Sequence, residues 1–321
     1  MRPSRGGRRS IMTPVRNVDL NVTVAGIELK NPIIAASGTF GYGVEFEDIV
    51  HLDRLGGFVV KGLSKEPMTG NPPPRLYETA AGMLNAIGLQ NIGARAFLDE
   101  KLPVLRPKKN IVVIANVFGY SRPDYERTVE MLNEGEGIAA YELNVSCPNT
   151  VHGGVQFGCD PHSLDEVVRT VKRVSARPLI VKLSPNVTSI AQMAHIAEEA
   201  GADAISLVNT FLAMAIDAET WRPRIANVTA GLSGPAIKPI ALRMVYDASH
   251  AVKIPVIGMG GIVTAEDVIE FMLAGATAVQ VGTASFFDPV ATEKLVEELA
   301  EYCQEHRIDK VREVTGGLLT D

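Results

Sequence analysis

Cysteine is scarce in this chain: three residues, Cys147, Cys159 and Cys303, among 321. No two of them form a C-x-x-C pair, so there is no disulfide framework, and this usage fits a reducing compartment and a cytoplasmic protein. An iron–sulfur cluster ordinarily takes four thiolates, which the chain cannot supply alone. Its six histidines lack H-E-x-x-H or comparable spacing, so no metal-site signature is present. No apolar run reaches the roughly 18 residues that a membrane span needs. The start, "MRPSRGGRRSIMTP", has no apolar stretch behind its arginines and fails as a signal peptide. Residues 1–16 read as a disordered basic tail, with Met12 as an alternative initiator. Basic excess is missing too: the net charge is −6 with both signs interspersed, which argues against a nucleic-acid partner. What remains is 46% hydrophobic, enough for one large domain over residues 17–321 acting on a small molecule.

Within that span short apolar runs recur, each ending in a small or polar residue and each followed by helical periodicity. They are "PIIAAS" (32–37), "GFVVKG" (57–62), "IVVIANV" (111–117), "AYELNVS" (140–146), "LIVKLS" (179–184), "AISLVNT" (204–210), "PVIGMGG" (255–261) and "AVQVGTA" (278–284). Continuous apolar strands separated by helices describe a parallel sheet buried on both faces. Eight of them predict an α/β fold, a (β/α)8 TIM barrel, with a doubly wound open sheet as the competing architecture. Helices are expected at 188–201, 235–250 and 264–276, the last with Thr264 as N-cap. "DLNVTV" and "GIELKNP" (19–32) read as a small N-terminal hairpin. The connections at 63–92 and 211–235 exceed ordinary barrel turns and are expected to be lids or binding loops, and a third long loop follows strand four.

In a barrel the strand C-termini converge on one rim, where sites are built. Those ends carry Ser37, Lys61, Asn116, Asn144, Lys182, Asn209, Thr210, Gly260, Gly261, Gly282 and Thr283. One Lys or Asn at a strand end is ordinarily a solvated cap, but this many on one rim predict a site. "GMGGI" and "VGTA" end strands seven and eight, where barrels often bind phosphate, and glycine allows close backbone approach. "GMGGIV" lacks the G-x-G-x-x-G spacing of dinucleotide sites, which favours a mononucleotide such as FMN. Lys61 and Lys182 follow apolar residues inside strands, a costly position unless an anion meets them. Snorkelling to solvent is the plain alternative.

Cys147 lies just past strand four in "SCPN", at the start of a Gly-rich stretch, "NTVHGGVQFG" (149–158). A buried, inert thiol is the usual fate of free cysteine. A position on the rim instead favours chemistry, since a thiol of pKa near 8.5 serves as a general base with modest tuning. The loop over Cys147 is expected to move, with protease nicking at 150–158 that substrate slows.

Taken together, "NVSCPN", "GNPPPRLYET", "MLNAIGLQN", "VKLSPN", "VNT", "GLSGPAIKP", "IGMGGI" and "VGTA" resemble class 1 dihydroorotate dehydrogenases from about Asn21 to Phe287. "FGYG" and "MLNAIGLQN" are most similar to the 1B form. The resemblance implies an FMN barrel that oxidises (S)-dihydroorotate to orotate in pyrimidine biosynthesis. It makes Cys147 the base that takes the C5 proton while a hydride leaves C6 for the flavin. It assigns substrate contacts to Lys61, Asn85, Ala86, Ile87, Gly88, Leu89, Asn144, Asn149, Asn209 and Thr210. It assigns FMN contacts to Ser37, Lys61, Gly62, Asn116, Asn144, Lys182, Val208, Gly234, Gly260, Gly261, Gly282 and Thr283. Class 2 members use serine as the base and carry a membrane-binding extension, unlike this sequence. A 1B chain pairs with a subunit carrying FAD and a 2Fe–2S cluster that passes electrons to NAD, in a heterotetramer of two catalytic and two electron-transfer chains. Two enzyme alternatives stay open, a fumarate-using 1A homodimer and a dihydropyrimidine dehydrogenase-type barrel acting on uracil or thymine. A non-catalytic flavin- or phosphate-binding scaffold would not need the cysteine and asparagines of the fourth loop.

Overall fold

A computed structural model describes residues 18–145 and 154–320, without the side chains of 154–156. Cys147, Asn149 and the tail at 1–16 lie outside the described residues. Eight strands close into a parallel barrel: β1 (Ile33–Ala35), β2 (Gly57–Val59), β3 (Val113–Val117), β4 (Ile138–Asn144), β5 (Leu179–Lys182), β6 (Ala204–Leu207), β7 (Val256–Met259) and β8 (Ala278–Val281). Neighbours follow chain order, and β8 pairs with β1 to complete the ring. Each of the eight apolar runs supplies one strand. They read as unbroken hydrophobic stretches because the outer face packs on helices while the inner face fills the barrel.

The helical layer forms where polar side chains can cap the exposed amides of a first turn. Ser121, Asp160, Ser189 and Thr264 each accept a hydrogen bond from the backbone N–H three residues on, opening helices Arg122–Leu132, Pro161–Val174, Ile190–Glu199 and Ala265–Leu273. Such caps contribute about 1 kcal/mol apiece. Thr264 takes the N-cap position expected of it, and Asp267 completes a capping box. The expected pairing of every strand with a helix fails once. The crossover from β1 to β2 contains only the 3-10 turns Val44–Phe46 and Leu52–Arg54. Glycines 38, 41 and 43 there hold left-handed backbone angles that interrupt any regular helix. The C-terminal helix Ala291–Glu305 packs against β1 in its stead, burying Leu295, Leu299 and Cys303.

The first described residues meet the segment after the last long helix at the barrel wall. Asp19 N donates to the Asp309 carbonyl and Val311 N to that of Asp19, both at 2.9 Å, and Arg312 pairs with the Asp19 carboxylate at 2.6 Å. The expected hairpin, Val22–Val24 with Ile27–Leu29, buries Val22, Val24 and Leu29 in the main core.

The two long connections are not plain loops. They interleave as one four-stranded antiparallel sheet in the order Phe211–Ala213, Ala230–Ser233, Gly82–Asn85, Leu76–Thr79. Leu84, Ala86, Ile225 and Ala230 form a small core belonging to this lid alone. The stretch expected as a Gly-rich loop after β4 ends in a short helix, Gly154–Cys159.

Candidate active site

A cleft with an empty volume of about 1230 Å³, partly open to solvent, lies between the strand C-termini and the lid. Its walls contain Ser37, Lys61, Gly62, Asn116, Asn144, Lys182, Val208, Asn209 and Thr210 from the first six strand ends. Gly260, Gly261, Gly282 and Thr283 follow from the last two, with Gly234 ahead of the sixth crossover helix. The lid contributes Asn85, Ile87, Gly88 and Leu89. Among the described residues, positions distant in sequence therefore meet at one cleft, with one exception. Ala86 does not line the cleft: it is fully buried in the lid core, and its carbonyl accepts from Asn71 Nδ2 at 2.9 Å. The alternation of a strand turns its side chain away while Asn85 and Ile87 face inward.

On the floor, polar groups are tightly matched. Asn144 and Lys182 are register partners on β4 and β5, and Ser206 on β6 opposes Lys182 from the other side. Asn209 Nδ2 donates to Asn144 Oδ1 at 3.4 Å, and the hydroxyl of the fully buried Tyr125 donates to the Asn144 carbonyl at 2.9 Å. The Asn209 Oδ1 in turn accepts from Thr210 N at 2.9 Å. Asn85 Nδ2 donates to the Gly231 carbonyl, which ties the lid's inner strands together over the cleft.

Deeper lies a group that the strand reading passed over. Glu142, on β4, is fully buried in the barrel interior. Asn116 Nδ2 donates to its Oε1 at 2.7 Å, while Ser206 Oγ (3.0 Å) and Gln280 Nε2 donate to Oε2. Lys182 Nζ stands 3.5 Å from Oε1. A buried carboxylate is tolerable only with such partners. Lys182 thus meets its anion within the protein. Glu142, Ser206 and Gln280 are hidden inside apolar runs, yet Glu142, like Lys182, is a charge inside a buried strand and carries the same signal.

At the far end, Gly260 and Gly261 adopt left-handed φ angles of 129° and 82°. A Cβ on Gly261 would come within 2.9 Å of the Gly234 carbonyl oxygen, so only glycine keeps these two backbone segments together. The turn is braced from below by Asp267, whose carboxylate accepts from Val263 N (2.8 Å) and Thr264 N (2.9 Å) and pairs with Lys238 at 2.6 Å. Burial pushes the Asp267 carboxyl up, but the Lys238 ammonium and the two amides outweigh it and hold the group below its ordinary range. Thr283 Oγ1 donates to Ser233 Oγ at 2.8 Å, joining the eighth strand end to the lid. On the other side, burial raises the Cys159 thiol, with the Ser184 hydroxyl opposing.

The profile of the dihydroorotate dehydrogenase family matches residues 19–303, nearly the whole of barrel and lid. The chain belongs to the dihydroorotate dehydrogenase family. A relative from Geotalea uraniireducens, named dihydroorotate dehydrogenase B (NAD(+)), catalytic subunit, is 55% identical over 94% of this chain and 99% of its own. Another from Solibacter usitatus is 60% identical over 96% of this chain and 99% of its own, and its name gives dihydroorotate dehydrogenase A (fumarate) provisionally. The crystal structure of an Eimeria tenella DHODH in complex with ferulenol superposes with a TM-score of 0.80 at 21% identity, covering 95% of this chain and 89% of that one, a likeness of fold.

Proposed function

We infer that this chain is the catalytic subunit of an NAD-linked dihydroorotate dehydrogenase of class 1B, oxidising (S)-dihydroorotate to orotate in pyrimidine biosynthesis with FMN as its resident cofactor. The observation that carries the reading is the cleft itself, where asparagines and lysines from separate strands face a glycine-lined cradle beneath a lid from the family's own substrate loop. The names of the relatives in the 51–55% identity range support the B assignment. Among the described residues no helix is long and apolar enough to cross a membrane, and we place the enzyme in the cytoplasm.

Two features of the chain fit FMN. The glycine backbones at 234 and 261 leave an end of the cleft where a phosphate can approach closely. Two buried acceptors, Asn116 Oδ1 and Gln280 Oε1, receive no hydrogen bond from any described residue although both side chains line the cleft. A flat heterocycle bearing N–H groups would satisfy them. Ser37, Lys61, Gly62, Asn116, Asn144, Lys182, Val208, Gly234, Gly260, Gly261, Gly282 and Thr283 are assigned to its binding. When bound, FMN supplies the hydride acceptor and the route of electrons out of the cleft.

The protein's own residues do the remaining work. Asn85, Asn144, Asn149, Asn209 and Thr210 hold the ring and carboxylate of dihydroorotate, with 87–89 closing over it and excluding water. Cys147 Sγ takes the proton from C5 as the C6 hydride departs, leaving the C5–C6 double bond of orotate. Lys61 places a fixed cation beside negative charge that develops during transfer. Electrons leave through a partner subunit carrying FAD and a 2Fe–2S cluster, the two kinds of chain forming a heterotetramer, with NAD as final acceptor. Stopped-flow reduction of the FMN-loaded C147S variant by dihydroorotate should be slower by about 10²–10⁴-fold, the usual worth of a general base, with the flavin spectrum of the resting enzyme unchanged. An undiminished rate would remove Cys147 from this role.

The name of the 60% identical relative favours a second reading, a fumarate-using homodimer. Rapid reoxidation of the substrate-reduced chain by fumarate alone would establish it. The B reading expects turnover with NAD only when the electron-transfer subunit is added.

A further inference from the structure

We propose that Glu142 is a positioning residue that sets the hydrogen-bonding polarity of the cleft floor, so that the site accepts a ring N–H donor. The proposal rests on the FMN reading above and assigns a task to a buried carboxylate which that reading does not use.

An ionised carboxylate can only accept hydrogen bonds. Glu142 faces the side-chain amides of Asn116 (2.7 Å) and Gln280, so both must turn their N–H groups toward it. Ser206 Oγ donates to it at 3.0 Å, and the Lys182 ammonium, 3.5 Å from Oε1, supplies the counter-charge. The consequence falls on the opposite atoms of the same two amides. Asn116 Oδ1 and Gln280 Oε1 are buried with no donor among the described residues, and both residues belong to the lining of the cleft. An amide elsewhere can rotate to offer nitrogen or oxygen as a ligand demands. Here neither can, because rotation would set a carbonyl oxygen against the Glu142 carboxylate. Both oxygens are therefore presented to the ligand as acceptors, and Gly62 keeps the approach to one of them clear, since a Cβ there would lie 2.9 Å from Asn116 Oδ1. The oxidised flavin ring carries one N–H, at N3. One oxygen is suited to that hydrogen and the other to a hydroxyl or an ordered water.

The test measures discrimination between FMN and N3-methyl-FMN, from which that single hydrogen is missing, by fluorescence titration of the flavin-depleted full chain. In the parent protein N3-methylation should weaken binding about tenfold or more, the worth of one hydrogen bond to a buried acceptor. Glu142→Gln offers one acceptor and one donor that can exchange places, so neither neighbouring amide is held in a single sense and the discrimination should fall toward unity. General loosening of the fold would weaken both ligands alike and leave the ratio in place. Should E142Q not fold, because Lys182 loses its counter-charge, the pair E142M/K182M removes both charges at once, frees both amides, and gives the same expected loss of ratio. A ratio unchanged in a folded variant would attribute discrimination to steric fit and overturn the proposal, as would a parent protein that binds both flavins equally. A parent protein that binds neither flavin would overturn the FMN reading itself.

Discussion

At the residue scale, the site combines groups that the sequence displays with groups that it conceals. Lys61, Asn116, Asn144, Lys182 and Asn209 end strands and announce themselves, because a polar side chain closing an apolar run has few places to go but a rim. Glu142, Ser206 and Gln280 stand one or more positions inside their runs, where inward and outward positions alternate and only the closed barrel tells which way each points. Cys147 and Asn149 stand on sequence evidence alone. The geometry adds a residue that sequence would treat as interchangeable. At Gly62 a methyl group would press on Asn116 Oδ1 at 2.9 Å, and Asn116 cannot swing aside while Glu142 holds its amide. Gly62→Ala should weaken FMN binding about tenfold, near 1.4 kcal/mol, and should also lower the thermal midpoint of the flavin-free chain, because the clash is present without the ligand. Unaltered affinity in a flavin titration would show that the Asn116 oxygen has room to move.

At the scale of elements, strands and capped helices were legible because their signals are local. The eight runs, the hairpin and the Thr264 cap all depend on residues within a turn or a strand of one another. The lid was legible only as a pair of long connections. Its central pairing joins Gly82–Asn85 to Ala230–Ser233, with Ser233 and Met83 150 positions apart, and strands of three or four residues carry too little periodicity to reveal such a partner. The helix Ala265–Leu273 offers a test of how the cradle is braced. Asp267 has a depressed pKa, so the stability it contributes is complete above the ordinary aspartate value of 3.8 and drains away as pH falls through its lower folded value. Asp267→Asn should cost about 1–2 kcal/mol at pH 7, the scale of a lost cap, and the melting temperatures of variant and parent should converge as pH falls below the ordinary aspartate value of 3.8 and through the lower folded value. A gap independent of pH would assign the loss to packing and not to charge.

At the scale of the whole molecule, the barrel brings strand ends from across the chain to one mouth, and the lid completes the enclosure. Asp19 is clasped to Asp309, Val311 and Arg312 at the wall, so the closing helix Ala291–Glu305 stays seated on β1, which has no helix of its own to follow it. Family membership covers residues 19–303, and the reaction follows from it together with the cleft. The choice of final electron acceptor was the least legible property, because under the proposed class 1B reading it resides in a partner's cofactors and not in this chain's side chains. The most direct measurement is an anaerobic visible spectrum of the FMN-loaded chain before and after a stoichiometric addition of (S)-dihydroorotate. The account expects the oxidised flavin band to bleach with orotate formed in equal amount. A flavin band that dihydroorotate leaves intact, in protein shown to hold FMN, would contradict it.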